Sequence, residues 1–202
     1  MLRKKEGMYT THRKRRRMNF NESLLHSLQI SPEEKNTALK ASCLETPLGT
    51  MIAIADEKSL YALEFADHGR LNRNINQLKQ KHKSDISCGS NETLALIEKE
   101  LSLYFQKKLK QFTTPLAFYG TSFQKFVWDE LRNIPFAETR SYLDLAVRVG
   151  KPSAYRAVAN ANGSNRLALI VPCHRVIAAD GGLGGYGSGL HRKKWLLSHE
   201  QK

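Results

Sequence analysis

The chain has 202 residues, of which 41% are hydrophobic and 25% charged, a balance typical of a globular protein with one or two apolar cores. No apolar run approaches the roughly 20 residues of a membrane helix, and no apolar signal segment follows the basic N-terminus, so we expect neither a membrane protein nor a secreted one. The three cysteines, Cys43, Cys88 and Cys173, are too few and too widely spaced for a disulfide framework, and we expect a reducing, cytoplasmic location.

The net charge of +13 is divided unevenly along the chain. Residues 1–17 carry eight Lys or Arg and one Glu, residues 18–119 carry twelve charges of each sign, and residues 120–202 carry twelve Lys or Arg against six Asp or Glu. The basic run at 13–17 predicts a flexible extension over residues 1–39, with phosphate contact or a localisation signal as alternatives. The positive charge of the C-terminal part is compatible with nucleic-acid binding and also with an ordinary solvated surface.

Residues 40–117 predict a small antiparallel sheet with a helix behind it. The stretch ASCLETPLGTMIAIADEKSLYALEFA contains two or three β-runs, separated by turn signals at 47–49 and 56–58. The stretch SNETLALIEKELSLYFQKKL predicts an amphipathic helix capped by Ser90 or Asn91. Its apolar positions share one helical face: Leu94, Ile97, Leu101, Tyr104 and Phe105. We interpret this part of the chain as scaffold.

Residues 118–202 predict short helices with a strand and a loop between them. Ser122 and Ser141 are the predicted caps of the first two helices, and Pro152 occupies the first turn of the third. The second and third helices are joined through Gly150 and Lys151, a spacing typical of a helix-turn-helix motif.

The third of these helices, SAYRAVANAN, is rich in alanine and has Arg156 near its middle. A surface of small residues can approach a nucleic-acid groove closely, and an arginine that projects from it can reach between the bases or stack on them. The alternative is that the alanines pack against a neighbouring helix.

The stretch LIVPCHRVIAADGGLGGYG places Cys173 between a proline and a histidine. We predict that residues 167–171 form a strand and that Cys173 opens a helical turn, where backbone N–H groups, His174 and Arg175 favour a thiolate. Cys173 is then a nucleophile, and the alternative is a buried, inert cysteine. A zinc site is excluded because the chain lacks ligands at suitable spacing. The glycines at 182, 184 and 187 do not form a dinucleotide-binding loop, because no strand leads directly into them. We predict instead that they form a flexible lid over the cysteine.

These residues resemble the signature of a known family. PCHRVI at 172–177 lies between TSFQKFVWDELRNIPFAETRSYLDLA and GGLGGYGSGLHRKKWLLSHE, a combination similar to that of the O6-alkylguanine-DNA alkyltransferases, also called methylated-DNA–protein-cysteine methyltransferases. The resemblance covers residues 121–200 and, more loosely, 40–115. It implies an α/β (α+β) fold with a ribonuclease H-like domain at 40–117 and a winged helix-turn-helix-like domain at 118–202.

The activity that the resemblance implies is direct-reversal DNA repair. The alkyl group of O6-alkylguanine, and of O4-alkylthymine, in duplex DNA is transferred irreversibly to Cys173, once per molecule. His174 resembles the residue that withdraws the thiol proton through a water, and Glu200 resembles the carboxylate that orients this histidine, as in other activated nucleophiles. Tyr142 resembles the tyrosine that protonates the leaving guanine at N3.

The resemblance also assigns residues to DNA binding and to the pocket. Arg156 corresponds to the arginine that fills the gap left by the extruded nucleotide, and Val176 is expected to offer its backbone carbonyl to the exocyclic amine of the base. The DNA-binding positions are Ser153, Tyr155, Arg156 and Ala157. The pocket and hinge positions are Asn165, Val176, Tyr186, Gly187 and Ser188. Some members have a serine at position 187, so the contact to the guanine oxygen falls to the Gly187 N–H or to Ser188.

The implied protein is a monomer that acts on double-stranded DNA, with no cofactor, no metal and no membrane partner. Two other classes remain open. Alkyltransferase-like proteins bind the same lesions without repairing them, but they replace the acceptor cysteine. A winged-helix regulator shares the helix-turn-helix and the charge, but it has no use for a cysteine, a histidine and a glutamate in this register.

Overall fold

A computed structural model describes residues 20–32 and 37–201 of the chain. Its N-terminal part is built on a four-stranded sheet in the order β3-β2-β1-β4, with β1 and β2 antiparallel, β2 and β3 antiparallel, and β4 parallel to β1. The strands are β1 (Leu39–Leu44), β2 (Met51–Ala55), β3 (Leu60–Phe65) and β4 (Ile86–Cys88). The predicted turn after β2 is confirmed, because Asp56 Oδ1 accepts hydrogen bonds from the backbone N–H groups of Lys58 and Ser59 at 2.8 and 2.7 Å.

One face of the sheet is covered by two helices, α1 (Phe20–Ser27) and α2 (Leu71–His82). Ile52 and Ile54 of β2 point into the apolar core between these helices and the sheet. The predicted flexible extension over 1–39 is therefore wrong for residues 20–32, since Leu25, Leu28 and Ile30 are buried in this core. The basic run at 13–17 lies outside the described residues. Neither α2 nor β4 was predicted from the sequence.

The opposite face of the sheet packs on α3 (Glu92–Phe105). The predicted helix is confirmed, and its cap is Asn91, whose Oδ1 accepts a hydrogen bond from Leu94 N at 2.8 Å. Met51 and Ala53 alternate with Ile52 and Ile54 along β2 and point into this second core. The same core continues into the C-terminal part of the chain, so the two parts share one apolar interior.

The C-terminal part contains four helices and a two-stranded parallel sheet. The elements are α4 (Ser122–Arg132), β5 (Arg140–Ser141), α5 (Tyr142–Arg148), α6 (Tyr155–Gly163), β6 (Val176–Ile177) and α7 (Leu190–Gln201), with short 3₁₀ turns at Pro152–Ala154 and Cys173–Arg175. Ser141 caps α5 as predicted. The cap of α4 is Thr121 and not Ser122, because Thr121 and Gln124 form a reciprocal capping box. Gly150 joins α5 to the next turn with φ +68°, a conformation that favours glycine.

The strand predicted over residues 167–171 does not form. Leu167 makes a single bridge to Leu63 of β3, residues 168–170 turn, and Leu169 has φ 72°. These apolar side chains are buried by the turn itself, so their burial does not require an extended strand. Hydrogen bonds from Leu63 N to Arg166 O and from Ala168 N to Leu63 O fix the segment against the edge of the sheet. Within residues 20–32 and 37–201, no helix has the length and apolar character needed to cross a membrane.

Candidate active site

Cys173 opens the 3₁₀ turn that precedes β6, as expected for a helical turn at this position, and only 7% of the residue is exposed. Its thiol lies beside Asn165, whose Nδ2 is 3.2 Å from Sγ. The same Nδ2 donates to Val171 O at 2.8 Å, and Asn165 Oδ1 accepts from Leu167 N at 2.9 Å. Asn165 therefore links the end of α6 to the turn that carries the cysteine.

His174 and Glu200 form a buried pair next to the cysteine. His174 Nε2 is 2.8 Å from Glu200 Oε1, and the side chains are 0% and 1% exposed. Among the residues that the structure describes, His174 Nδ1 has no hydrogen-bond partner. A histidine that donates through Nε2 keeps the lone pair of Nδ1 free to accept a proton.

Three further residues hold the carboxylate of Glu200 through four hydrogen bonds. Arg175 donates from Nε to Oε2 at 2.8 Å and from Nη2 to Oε1 at 3.0 Å, and the Tyr104 hydroxyl donates to Oε1 at 2.8 Å. The backbone N–H of Ala137 reaches Oε2 at 3.3 Å. Burial raises the pKa of Glu200, but the hydrogen bonds from His174 and Arg175 outweigh it and hold this pKa well below its usual range. Glu200 is thus a fixed carboxylate.

The predicted thiolate is not the resting form of Cys173. Burial raises the pKa of the thiol and outweighs the hydrogen bond from Asn165 and the charge of Lys193. Burial also lowers the pKa of His174, so this neighbour is a neutral imidazole, and the charge of Arg175 is engaged by Glu200. The sequence argument failed because it treated the neighbouring residues as exposed charges. A nucleophilic Cys173 needs a base at the moment of reaction.

A cavity of about 320 Å³ opens in front of Cys173. Five of the predicted site residues line it together with the cysteine: Tyr142, Asn165, Tyr186, Gly187 and Ser188. Burial raises the pKa values of Tyr142 and Tyr186, so both phenols are neutral proton donors. The Tyr186 hydroxyl is buried and has no hydrogen-bond partner among the described residues.

Val176 is the predicted pocket residue that does not line this cavity. Its side chain is fully buried in β6, and its backbone carbonyl accepts a hydrogen bond from Lys193 Nζ at 2.6 Å. The Val176 carbonyl, which was expected to accept a hydrogen bond from the base, is therefore already hydrogen-bonded to Lys193.

The predicted DNA-binding residues lie at the start of α6 and in the turn before it. Ser153, Tyr155, Arg156 and Ala157 are all exposed. The Arg156 guanidinium lies over the Tyr155 ring, 5.7 Å from its centroid. Val158 and Ala161, on the other side of the helix, are buried in the shared core. The alternative, that the alanines pack, is confirmed for Ala161, whereas the approach of the exposed face to a nucleic-acid groove stays a prediction.

Sequence reasoning missed several residues that build the site, because their partners are distant along the chain. Lys193 is fully buried and donates to the carbonyls of Val176, Leu183 and Gly185, which anchors the glycine loop; burial lowers its pKa to about 8. The cavity wall also includes Glu64 and His68 from the corner between β3 and α2. Within the described residues, no three His, Cys, Asp or Glu side chains are grouped as metal ligands.

Comparison with known proteins identifies both parts of the chain. Residues 39–118 match the family model described as "6-O-methylguanine DNA methyltransferase, ribonuclease-like domain". Residues 122–202 match the one described as "6-O-methylguanine DNA methyltransferase, DNA binding domain".

Individual relatives are similar over most of their length. The methylated-DNA–protein-cysteine methyltransferase of Methanosarcina barkeri is 42% identical over 161 residues, which covers 78% of this chain and 94% of that protein. The crystal structure of Mycobacterium tuberculosis O6-methylguanine methyltransferase has a TM-score of 0.69 and 35% identity, covering 81% of this chain and 93% of that one. A structure of the same mycobacterial protein in complex with DNA also has a TM-score of 0.69 and 35% identity, with 81% and 92% of the two chains covered. The mixed α/β fold is confirmed, and the chain belongs to the 6-O-methylguanine DNA methyltransferase family.

Proposed function

We propose that this protein repairs alkylated DNA by direct reversal, transferring the alkyl group of O6-alkylguanine in duplex DNA to its own Cys173. The observation that carries the proposal is a buried thiol that faces a cavity and is followed directly by the His174–Glu200 pair. The names of the relatives give a methyltransferase activity of this kind to proteins that this chain matches over 86–94% of their length, and the mycobacterial O6-methylguanine methyltransferase has a similar fold. We extend the substrate to O4-alkylthymine, and we propose that the protein acts as a monomer on cytoplasmic DNA.

The acceptor step begins with the thiol proton. A water at the open Nδ1 of His174 carries the proton of Cys173 to the imidazole, and Glu200 stabilises the imidazolium that forms. Sγ then attacks the alkyl carbon in line with the bond to O6. The carbon–sulfur bond forms as the carbon–oxygen bond breaks, and the electron pair of the broken bond stays on the guanine.

The leaving guanine must take up a proton in place of the alkyl group. Tyr142 lines the cavity, and its raised pKa keeps the phenol protonated until the base becomes more basic. It donates to N3 of the guanine, and the imidazolium of His174 later returns a proton to the phenolate through solvent. The products are unmodified guanine and S-alkylcysteine, so the step balances without a metal or a cofactor.

The target base must leave the duplex before this chemistry, because Cys173 is only 7% exposed and a base that stays stacked in the duplex cannot bring its alkyl carbon to a buried thiol. Arg156 enters the space that the base vacates, and Ser153, Tyr155 and Ala157 lie against the DNA, a role that their exposure on one end of α6 supports. Asn165 holds the turn between α6 and the cysteine. In the cavity, Tyr186, Gly187 and Ser188 contact the extruded base. Asn162 Oδ1, which has no hydrogen-bond partner among the described residues, is a further acceptor for the N–H groups of the base, because the Val176 carbonyl already accepts from Lys193.

The proposal predicts one transfer per molecule. A thioether is a stable product, and the proposed step leaves no second nucleophile to remove the alkyl group, in contrast to acyl-enzymes that water regenerates.

The test is incubation with duplex DNA that carries O6-[³H-methyl]guanine in excess. We expect one equivalent of label on the protein, at Cys173 by peptide mass, no label on Cys173→Ala, and full labelling of Cys43→Ala, whose half-buried thiol lies in the sheet domain. Binding without transfer would instead place the protein with the lesion-binding or regulatory classes, and more than one equivalent would contradict single use.

A further inference from the structure

Arg192 lies in the first turn of α7, and its side chain is fixed by the N-terminal domain. Its Nη1 and Nη2 donate to the two oxygens of Asp67 at 2.8 and 3.0 Å, and its Nε donates to Leu48 O at 3.0 Å. The guanidinium also lies 4.1 Å from the centroid of the Phe65 ring. A bidentate pair with a stacked ring leaves the guanidinium little freedom.

The same guanidinium holds the end of the glycine loop. Arg192 Nη1 donates to the backbone carbonyl of Ser188 at 2.9 Å. The preceding Gly187 lies against His68 of the N-terminal domain, so closely that an added Cβ would be 2.8 Å from His68 Nε2. Gly187 and Ser188 both line the cavity of Cys173. The N-terminal domain therefore determines where this wall of the cavity lies.

Arg192 and Lys193, which are neighbours in α7, hold different parts of the glycine loop at 181–189. Lys193 donates to the carbonyls of Val176, Leu183 and Gly185, which fixes the first part of the loop within the C-terminal domain. Arg192 fixes the last part of the loop at Ser188, and Arg192 is itself held by Asp67 of the N-terminal domain.

We propose that Arg192, held by Asp67, is a positioning residue that sets the rate of alkyl transfer by fixing the Gly187–Ser188 wall of the cavity. This inference rests on the proposed function. An in-line displacement requires the alkyl carbon to be held at a defined distance and angle from Sγ, and a displacement of about 1 Å can slow such a reaction by about 100-fold. The N-terminal domain then contributes to catalysis by holding Arg192, chiefly through the Asp67 ion pair.

The Asp67 side chain is 65% exposed, so its pair with Arg192 contributes little to the stability of the fold. Asp67→Asn should therefore fold normally while weakening the hold on Arg192. Arg192→Lys keeps the positive charge but replaces the two-pronged contact by a single point of contact. The matched control is Asp129→Asn with Arg132→Lys, which alters an exposed pair on α4.

The experiment measures two quantities for each variant. The first is the rate constant for methyl transfer at saturating protein, at a temperature well below the melting point. The second is the affinity for the same duplex, measured in a Cys173→Ala background that cannot react. Hydrogen exchange of residues 181–189 reports the freedom of the loop.

We expect both single variants to slow transfer by about 5- to 100-fold, with affinity within about twofold and faster exchange confined to the loop. The double variant, Asp67→Asn with Arg192→Lys, should be no slower than the slower single variant, because all three changes disrupt the same ion pair. Transfer rates within twofold of the unmodified protein and the control, or equal losses in rate and affinity, would overturn the proposal. Both results leave the proposed function standing, whereas an unmodified protein that transfers nothing removes that function and with it this inference.

Discussion

The buried residues that we propose carry the chemistry and the exposed end of α6 are organised in opposite ways. Cys173, His174 and Glu200 are almost fully buried, and Glu200 alone accepts hydrogen bonds from four groups. The residues of the α6 surface, Ser153, Tyr155, Arg156 and Ala157, are exposed, and Arg156 rests over Tyr155. Under the proposed function, this difference means that the groups proposed for catalysis are positioned before DNA arrives, whereas the side chains proposed to bind DNA gain their partners on binding.

The two regions should therefore respond differently to substitution. A change in the buried relay alters both stability and transfer, because it leaves buried polar groups without partners. A change on the α6 surface alters only the steps that need duplex DNA.

The largest effect is expected for Glu200→Gln. The amide cannot pair with Arg175 as a charge, and it no longer stabilises a protonated His174, so transfer should fall by about 10²- to 10⁴-fold. The unpaired guanidinium should lower the free energy of unfolding by about 3–5 kcal/mol. Glu138→Gln is the matched control, because Glu138 makes an exposed pair with Arg140 and should change stability by about 1 kcal/mol or less. Denaturant unfolding and single-turnover assays measure both effects, and a Glu200→Gln protein with normal stability would contradict the account of the buried pair.

Arg156→Ala should give the next largest effect, and only on duplex DNA. Holding a base out of the stack has a cost of a few kcal/mol, so the loss of the side chain that fills the gap should slow duplex repair by about tenfold or more. Transfer from the free base O6-benzylguanine should be unchanged, since no base pair is opened. The dependence of binding on salt should change little, because this arginine is not assigned to a phosphate. Equal losses on both substrates would indicate a defect of folding, and Arg132→Ala on α4 provides the arginine control.

Local signals in the sequence were enough to predict much of the scaffold. The cap at Ser141 and the turn at Asp56 act within three residues, and the structure confirms both; of the two predicted caps Ser90 and Asn91, it selects Asn91. α2 was missed although Leu71, Ile75 and Leu78 have helical spacing, because the residues between them are polar throughout. The strand predicted over 167–171 failed because a run of apolar residues indicates burial, whereas the backbone path was decided by contacts with β3.

In the site, too, local signals were readable in the sequence, whereas contacts between distant parts of the chain were not. The cysteine, histidine and distant glutamate of the proposed relay were predicted together only because the chain resembles a known family. Tyr104 and Arg192 were missed, since they meet Glu200 and Asp67 across 96 and 125 positions of the sequence. The protonation state of Cys173 was predicted wrongly for a related reason: burial, which outweighs the nearby charges, is a property of the folded chain.

Alkylation itself should weaken the buried region. A methyl group on Sγ competes with Asn165 Nδ2, which lies 3.2 Å from the sulfur, and adds volume at a residue that is 7% exposed. We expect the spent protein to be less stable than the fresh one by about 1–3 kcal/mol. Thermal melts before and after complete reaction measure the change, and Cys173→Ala treated with the same DNA is the control. An unchanged melting temperature would mean that the cavity accepts the methyl group without strain.

The smallest effect is expected between pH 7.5 and 6.5, where the transfer rate at saturating protein should change by less than about twofold. Burial lowers the pKa of His174 from its ordinary 6.5, and the hydrogen bond to Glu200 only partly offsets this. At pH 6.5 the imidazole that we propose accepts the thiol proton is thus less protonated than an exposed histidine, which would be half protonated there.

The free energy of unfolding should decrease as the pH is lowered. A histidine whose pKa is lower in the folded state binds its proton more readily in the unfolded state, so the stability it contributes is present above about pH 6.5 and is lost as the pH falls. Glu200, whose pKa is also lowered, adds a further loss below its ordinary value of 4.5. Melts at each pH separate unfolding from the loss of the base. An acid limb of the rate profile with its midpoint at or above pH 6.5, in protein that remains folded, would show that the base is a solvent-exposed group and not the buried His174.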